Sequence, residues 1–205
     1  LYPRTKAVQT GLNGEFIVSP RLDDLQCVFG CLEGFLAAKP GGSLPVLAVF
    51  NNEEVGSNTR QGADSTFLTD VLERIAHGCG LDSEAWKAAV ANSFMVSADN
   101  AHAIHPAHPE YADKGEFPVL GGGIVIKYNA NQRYSNRADL PGGSTLGNIS
   151  TAHLSVPTVD IGLPQLAMHS VCETAGAADT DYLVKAMTAY FSRDFHRDRD
   201  GGIVF

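Results

Sequence analysis

The chain has 205 residues, of which 44% are hydrophobic and 19% charged, a composition that allows one sizeable globular domain and excludes a disordered or low-complexity chain. A formal net charge of −8 argues against nucleic acid or an anionic membrane as partner, because both need a cationic footprint. No apolar run reaches the roughly 18 residues of a transmembrane helix, and Leu1 to Gly14 lack the charged-then-apolar layout of a signal peptide, so a cytoplasmic location is expected.

In chain order, Leu22, Leu25, Val28, Phe29, Leu32, Phe35 and Leu36 recur at helical spacing and predict an amphipathic helix over Leu22 to Leu36, ended by Lys39-Pro40-Gly41-Gly42. Leu44 to Phe50 is a continuous apolar run with Pro45 near its start, which reads as a central strand buried on both faces. A second helix places Phe67, Leu68, Val71, Leu72 and Ile75 on one face, and a third is expected around Ser83 to Val90 with Ser83 as its cap. Strands follow at Phe94 to Ser97, Ile124 to Tyr128 and Val159 to Ile161, and a last helix at about Thr180 to Phe191. The charged tail Ser192 to Asp200 reads as a solvated end. Strands alternating with helices predict an α/β fold, a three-layer α/β/α sandwich with a mostly parallel or mixed central sheet.

Four cysteines, Cys27, Cys31, Cys79 and Cys172, form no CxxC pair, so neither a finger-type zinc site nor a redox motif is indicated. Cys27 and Cys31 share a helix face and read as small buried hydrophobes.

The acidic and histidine residues fall where buried strands end. Asn51-Asn52-Glu53-Glu54 follows the run ending at Phe50, Asp99 follows the strand ending near Ser97, His169 comes after the strand containing Ile161, and Asp23 heads the first helix. In open α/β sheets, ligands bind beyond the carboxyl ends of the strands. Each residue has a plainer alternative: Asp23 or Asp24 as helix-capping acids, Asp99 in an Asx turn, and His169 as a hydrogen-bonded core residue. Together, carboxylates and an imidazole at one mouth are suited to a hard or borderline dication. With two metal ions about 4 Å apart, a bridging carboxylate and a free carboxylate nearby suffice for hydrolysis. The adjacent glutamates divide that labour, one binding metal and the other moving a proton.

The words Ser19-Pro20-Arg21-Leu22-Asp23-Asp24, Asn52-Glu53-Glu54-Val55-Gly56-Ser57 and Ser97-Ala98-Asp99-Asn100-Ala101-His102 resemble, in order and spacing, those of the M18 (aspartyl aminopeptidase) family. So do Val125-Ile126-Lys127, Pro141-Gly142-Gly143-Ser144-Thr145-Leu146-Gly147 and Gln165-Leu166-Ala167-Met168-His169-Ser170, and the likeness covers nearly the whole chain. The resemblance implies two zinc ions, with manganese or cobalt as alternatives, held by Asp23 as the bridge, Glu54 and His169 on one ion and Asp99 on the other. It implies Glu53 as general base and Lys127 near the substrate side chain, where a cation would favour acidic N-terminal residues. Gly143, Ser144 and Thr145 are implied to approach the substrate as a backbone-rich loop. His102 and His105 are expected to orient the ligands from behind or to stabilise their own turn.

The sequence also departs from the family. No histidine precedes Asp23, whereas the family carries near its N-terminus a histidine that binds the ion shared with Asp99, followed by an aspartate. The dimerisation domain that the family inserts ahead of Arg-Leu-Asp is absent too. Between Ser135 and Asn136 a stretch expected to lead into a helix is missing. The 205 residues are therefore expected to be the catalytic-domain portion of a metal-dependent aminopeptidase acting on peptides, a homo-oligomer when intact. Alternatives are an inactive or truncated homologue serving as an assembly subunit, or an amidohydrolase or carboxypeptidase on the same dinuclear plan.

Overall fold

The computed structural model describes residues 2–39, 41–53, 57–112, 115, 117–127, 153–200 and 202–204. Strands β1 (Val8–Thr10) and β2 (Phe16–Ser19) form a hairpin that leads into helix α1 (Leu22–Ala37). Helices α2 (Phe67–Gly78) and α3 (Ser83–Ala91) precede strands β3 (Met95–Ala98) and β4 (Ala101–His102). Strands β5 (Val125–Lys127), β6 (Thr158–Gly162), β7 (Pro164–Leu166) and β8 (Glu173–Gly176) come next. Helix α4 (Asp179–Phe191) and the pair β9 (His196–Arg197) and β10 (Ile203–Val204) complete the order.

Among the described residues the strands form a three-stranded sheet, β3-β6-β5, and a five-stranded sheet, β1-β2-β8-β7-β4. Pairing is mixed, as expected for the α/β class: β3 with β6 and β4 with β7 are parallel, whereas β5 with β6 and β7 with β8 are antiparallel. The two sheets are joined by chain continuity, because β3 runs into β4 across Asp99 and Asn100 while β6 runs into β7 across Leu163. Backbone bonds cross this joint, from Asp99 N–H to Ile161 O (3.1 Å) and from Ala101 N–H to Leu163 O (2.9 Å). These bonds carry the pairing of the two chain segments across the change of sheet.

The core lies where α1 and α4 meet these strands. Cys27 and Cys31 of α1 pack with Leu183, Met187 and Phe191 of α4 over Ile161 and Leu163, which confirms the two cysteines as buried apolar groups. Gly30 and Gly34 let the helices approach closely; a Cβ on Gly34 would stand 2.5 Å from Met187 Cβ and 3.0 Å from the Met187 carbonyl carbon. No helix among the described residues is long and apolar enough to cross a membrane.

Two sequence expectations are corrected. Leu44 to Phe50 forms no ladder among the described residues, and Leu44 (79%), Val46 (45%) and Val49 (57%) are exposed rather than buried on both faces. An apolar run becomes a strand only where a neighbour offers backbone bonds, and Pro45 removes one donor from this one. Helix α3 is capped by Asp82, whose carboxylate accepts the Ala85 N–H at 2.8 Å, and Ser83 is its first residue. The tail is largely exposed, as expected, and is tethered at two points: Asp194 accepts the Ser43 N–H at 2.8 Å, and His196–Arg197 pairs with Ile203–Val204.

Replacing Gly34 by Ala gains up to about 1 kcal/mol in helix propensity, but overpacking against the α4 backbone costs roughly 1–3 kcal/mol. We expect Gly34→Ala to lower stability in urea unfolding, whereas Gly78→Ala, whose Cβ would meet nothing within 4 Å, leaves it level or higher. Equal stability of the two variants would show that the α1–α4 contact is not tight.

Candidate metal centre

Asp23 reaches the site because the start of α1 is irregular. The chain leaves β2 through Arg21 in the left-handed region (φ 63°), and no side chain at that cap position bonds the helix end. The N–H groups of Leu22 and Asp23, which have no partner within the helix, donate to Glu173 Oε2, the second at 3.1 Å. Asp23 (φ −81°, ψ 117°) and Asp24 (φ −109°, ψ 20°) are themselves non-helical, and the peptide between them is cis. The helix end is therefore served by a distant glutamate, and the two aspartates are not spent on capping it.

Asp99 sits at the joint between the sheets. Its Oδ2 is 3.1 Å from Lys127 Nζ, at the end of β5, and the lysine side chain is only 7% exposed. His169 lies in the loop between β7 and β8, also left-handed (φ 66°). Its N–H donates to Glu173 Oε1 at 2.8 Å, and its ring Nε2 is 3.0 Å from Asp23 Oδ2. Carboxylate oxygens of Asp23, Asp24 and Asp99 all lie within 4.8 Å of one another. Glu53 lines a cavity of about 980 Å³ together with Asn52, Asp23, Asp24 and Asp99.

Of the residues singled out from sequence, Asp23, Asp99, His169 and Lys127 are thus brought together, with Glu53 on the same cavity. Glu54, Gly143, Ser144 and Thr145, like the junction of Ser135 and Asn136, lie outside the described residues. His102, in β4, keeps solvent contact, but the protein mass around it lowers its ring pKa, helped by the positive charges of His169 and Lys127 and opposed by Asp99. His105 serves its own turn, its Nδ1 accepting the Ala107 N–H at 3.2 Å.

Asp24 and Glu173 were missed as members of the site. Asp24 adjoins a residue already singled out. Glu173, four residues after His169, stands at the head of a small apolar strand sequence, Glu-Thr-Ala-Gly, where a carboxylate is uncommon unless paired. Behind the cluster, Cys27 Sγ donates to Asn100 Oδ1 (2.9 Å), Asn100 Nδ2 donates to Gln26 Oε1 (3.4 Å) and to Gln165 Oε1, and Gln26 Nε2 donates to Thr180 Oγ1 (3.0 Å). This network ties α1, the sheet joint, β7 and α4 together behind the aspartates.

The electrostatics favour a cation. Burial first, and then the charge of Asp99, push the Asp24 carboxyl up to about 9. Its Oδ1 is buried and has no hydrogen-bond partner among the described residues. Three carboxylates at this spacing repel unless one is protonated or a cation stands among them, and a bound dication inverts that logic. The donor set of carboxylate oxygens with one imidazole suits zinc, manganese or a similar dication.

The family model described as aminopeptidase I zinc metalloprotease (M18) matches residues 1–138 and 134–191. The chain belongs to the M18 family. A probable M18 family aminopeptidase 2 of Clostridium acetobutylicum is 42% identical over 94% of this chain and 50% of its own length. Among solved structures, Ape4 in its complex with Nbr1 is 35% identical with a TM-score of 0.84, covering 92% of this chain and 41% of that one. The mApe1 dodecamer of S. cerevisiae is 28% identical with a TM-score of 0.75, covering 93% of this chain and 49% of that one. This M18 chain thus spans about half the length of the curated relatives it matches. The donor chemistry of the acidic cluster, which includes a buried Asp24 oxygen with no hydrogen-bond partner among the described residues, fits a zinc ion.

If the cluster holds zinc, the metal should stabilise the fold by linkage, by about 2.7 kcal/mol at a hundredfold excess over its Kd. We expect zinc to raise the melting temperature, a chelator to reverse the rise, and Asp99→Ala to abolish it. A melting temperature indifferent to zinc in the unmodified protein would rule the cluster out.

Proposed function

We propose that the chain forms the metal-binding part of an aminopeptidase that removes N-terminal residues from peptides, using two zinc ions and a glutamate base. The observation that carries this reading is the meeting of the Asp23, Asp24 and Asp99 carboxylates with the His169 ring, in a chain of a zinc metalloprotease family. Asp23, Asp99 and His169, with Glu54, are the residues that would hold the ions. When bound, the ions would polarise the scissile carbonyl and lower the pKa of the attacking water.

The chain's own groups then supply the rest. Glu53, on the wall of the same cavity, takes a proton from the attacking water and returns it to the leaving amine, which departs neutral. Lys127, with its ammonium 3.1 Å from Asp99, brings a cation to the edge of the cluster, which supports a preference for acidic N-terminal residues. The family resemblance gives Gly143, Ser144 and Thr145 a role in substrate binding in this reading. Assembly as a homo-oligomer is proposed by likeness to the mApe1 dodecamer.

The test is kinetic. In the full-length protein, Glu53→Gln should keep its zinc and lose turnover on aminoacyl reporter substrates by about 10² or more, the usual worth of a general base. Zinc and activity lost in equal measure would exchange the roles of Glu53 and Glu54. Glutamyl substrates should be cleaved faster than leucyl ones, and faster leucyl cleavage would end the acidic preference.

A further inference from the structure

Glu173 is 2% exposed and stands at the first position of β8, opposite Ser19 at the last position of β2. From there its two oxygens reach two separate loops. Oε2 accepts the N–H groups of Leu22 and Asp23, while Oε1 accepts the N–H of His169 at 2.8 Å. The first loop carries Asp23 and the second carries His169, whose side chains meet at 3.0 Å. One buried carboxylate therefore spans the backbones of both.

We propose that Glu173 is a positioning residue that sets metal affinity by holding the Asp23 and His169 loops in register before the ion arrives. The inference rests on the zinc aminopeptidase reading above. Three backbone donors converge on this side chain, and an ionised carboxylate is acceptor-only, so both of its oxygens are used. Glutamine cannot replace it. Whichever way the amide is turned, its NH₂ faces a backbone N–H and one loop is released. Both loops also contain non-glycine residues in the left-handed region, Arg21 (φ 63°), Ala167 (φ 56°) and His169 (φ 66°), conformations that persist only where their surroundings impose them. Groups that orient metal ligands from behind commonly account for 10- to 100-fold in metal affinity.

Asp179 provides the comparison. It is fully buried and accepts the N–H groups of Gly121 and Gly123, each at 2.9 Å, which lie on a loop bearing none of the proposed ligands. In the metal-free full-length protein, zinc titration of Glu173→Gln should show binding weakened by about 10- to 100-fold, with faster amide exchange at Leu22, Asp23 and His169. Asp179→Asn should lose stability while keeping its zinc affinity. If Glu173→Gln fails to fold, Glu173→Asp keeps both acceptors at shorter reach and should show the same two effects in smaller degree. Zinc affinity within about twofold of the unmodified protein in the Glu173 variants, or a loss no greater than that of Asp179→Asn, would overturn the proposal and leave the aminopeptidase reading standing. An unmodified protein that takes up no zinc would overturn that reading and the role of Glu173 with it.

Discussion

The constraint on which the rest of the site depends is the crowding of Asp23, Asp24 and Asp99 within 4.8 Å. At the effective dielectric of a protein, two ionised carboxylates at that spacing repel by on the order of 3–4 kcal/mol. Such a cluster persists only because the fold imposes it and something offsets its charge. Lys127 beside Asp99 offsets part of it, the His169 ring faces Asp23 at 3.0 Å, and burial pushes the Asp24 carboxyl up to about 9. Each compensation is local, and a bound dication would serve all three carboxylates at once.

The crowding arises from topology. Asp99 is where the chain leaves one sheet and enters another, and the bonds of Asp99 and Ala101 to the β6–β7 chain fix that passage. Asp23 comes from the end of the neighbouring β2, through a helix start whose donors are satisfied by Glu173 instead of by a local cap. His169 comes from the loop that leads into β8, the strand beginning with that same glutamate. Three segments far apart in the chain are thus referred to one short stretch of sheet. The Cys27, Asn100, Gln26 and Gln165 network then fastens this stretch to the two helices that form the core.

Much of this was legible in the chain itself. The spans of α1, α2, α3 and α4 follow from their apolar periodicity, but the buried face of α1 does not: Leu25, Phe29, Leu32 and Leu36 are exposed, and Cys27, Gly30, Cys31 and Gly34 are buried against α4 instead. The strands at β3, β5 and β6 follow from short apolar runs. Asp99 and His169 were recognisable from their position after strands, Asp23 from its place at the head of the first helix, and Lys127 from the resemblance of its motif to the family's.

What the sequence could not decide is where each backbone donor finds its acceptor. The apolar run Leu44 to Phe50 has the composition of a central strand but no ladder among the described residues, because pairing belongs to two segments and cannot be read from one. The short strands β1, β2, β7 and β8 carry too few residues for a period. Asp24 resembles a cap in one dimension and becomes part of an acidic cluster only through the backbone angles of α1's first turn. Glu173 resembles an ordinary acid beside a strand, yet it sits 150 positions from Asp23 in the chain and within a hydrogen bond of it in the fold. The sequence determined the kinds of group that the site uses, since chemistry constrains residue type. Their mutual distances were decided only by tertiary structure, because charge, burial and hydrogen bonding act through space.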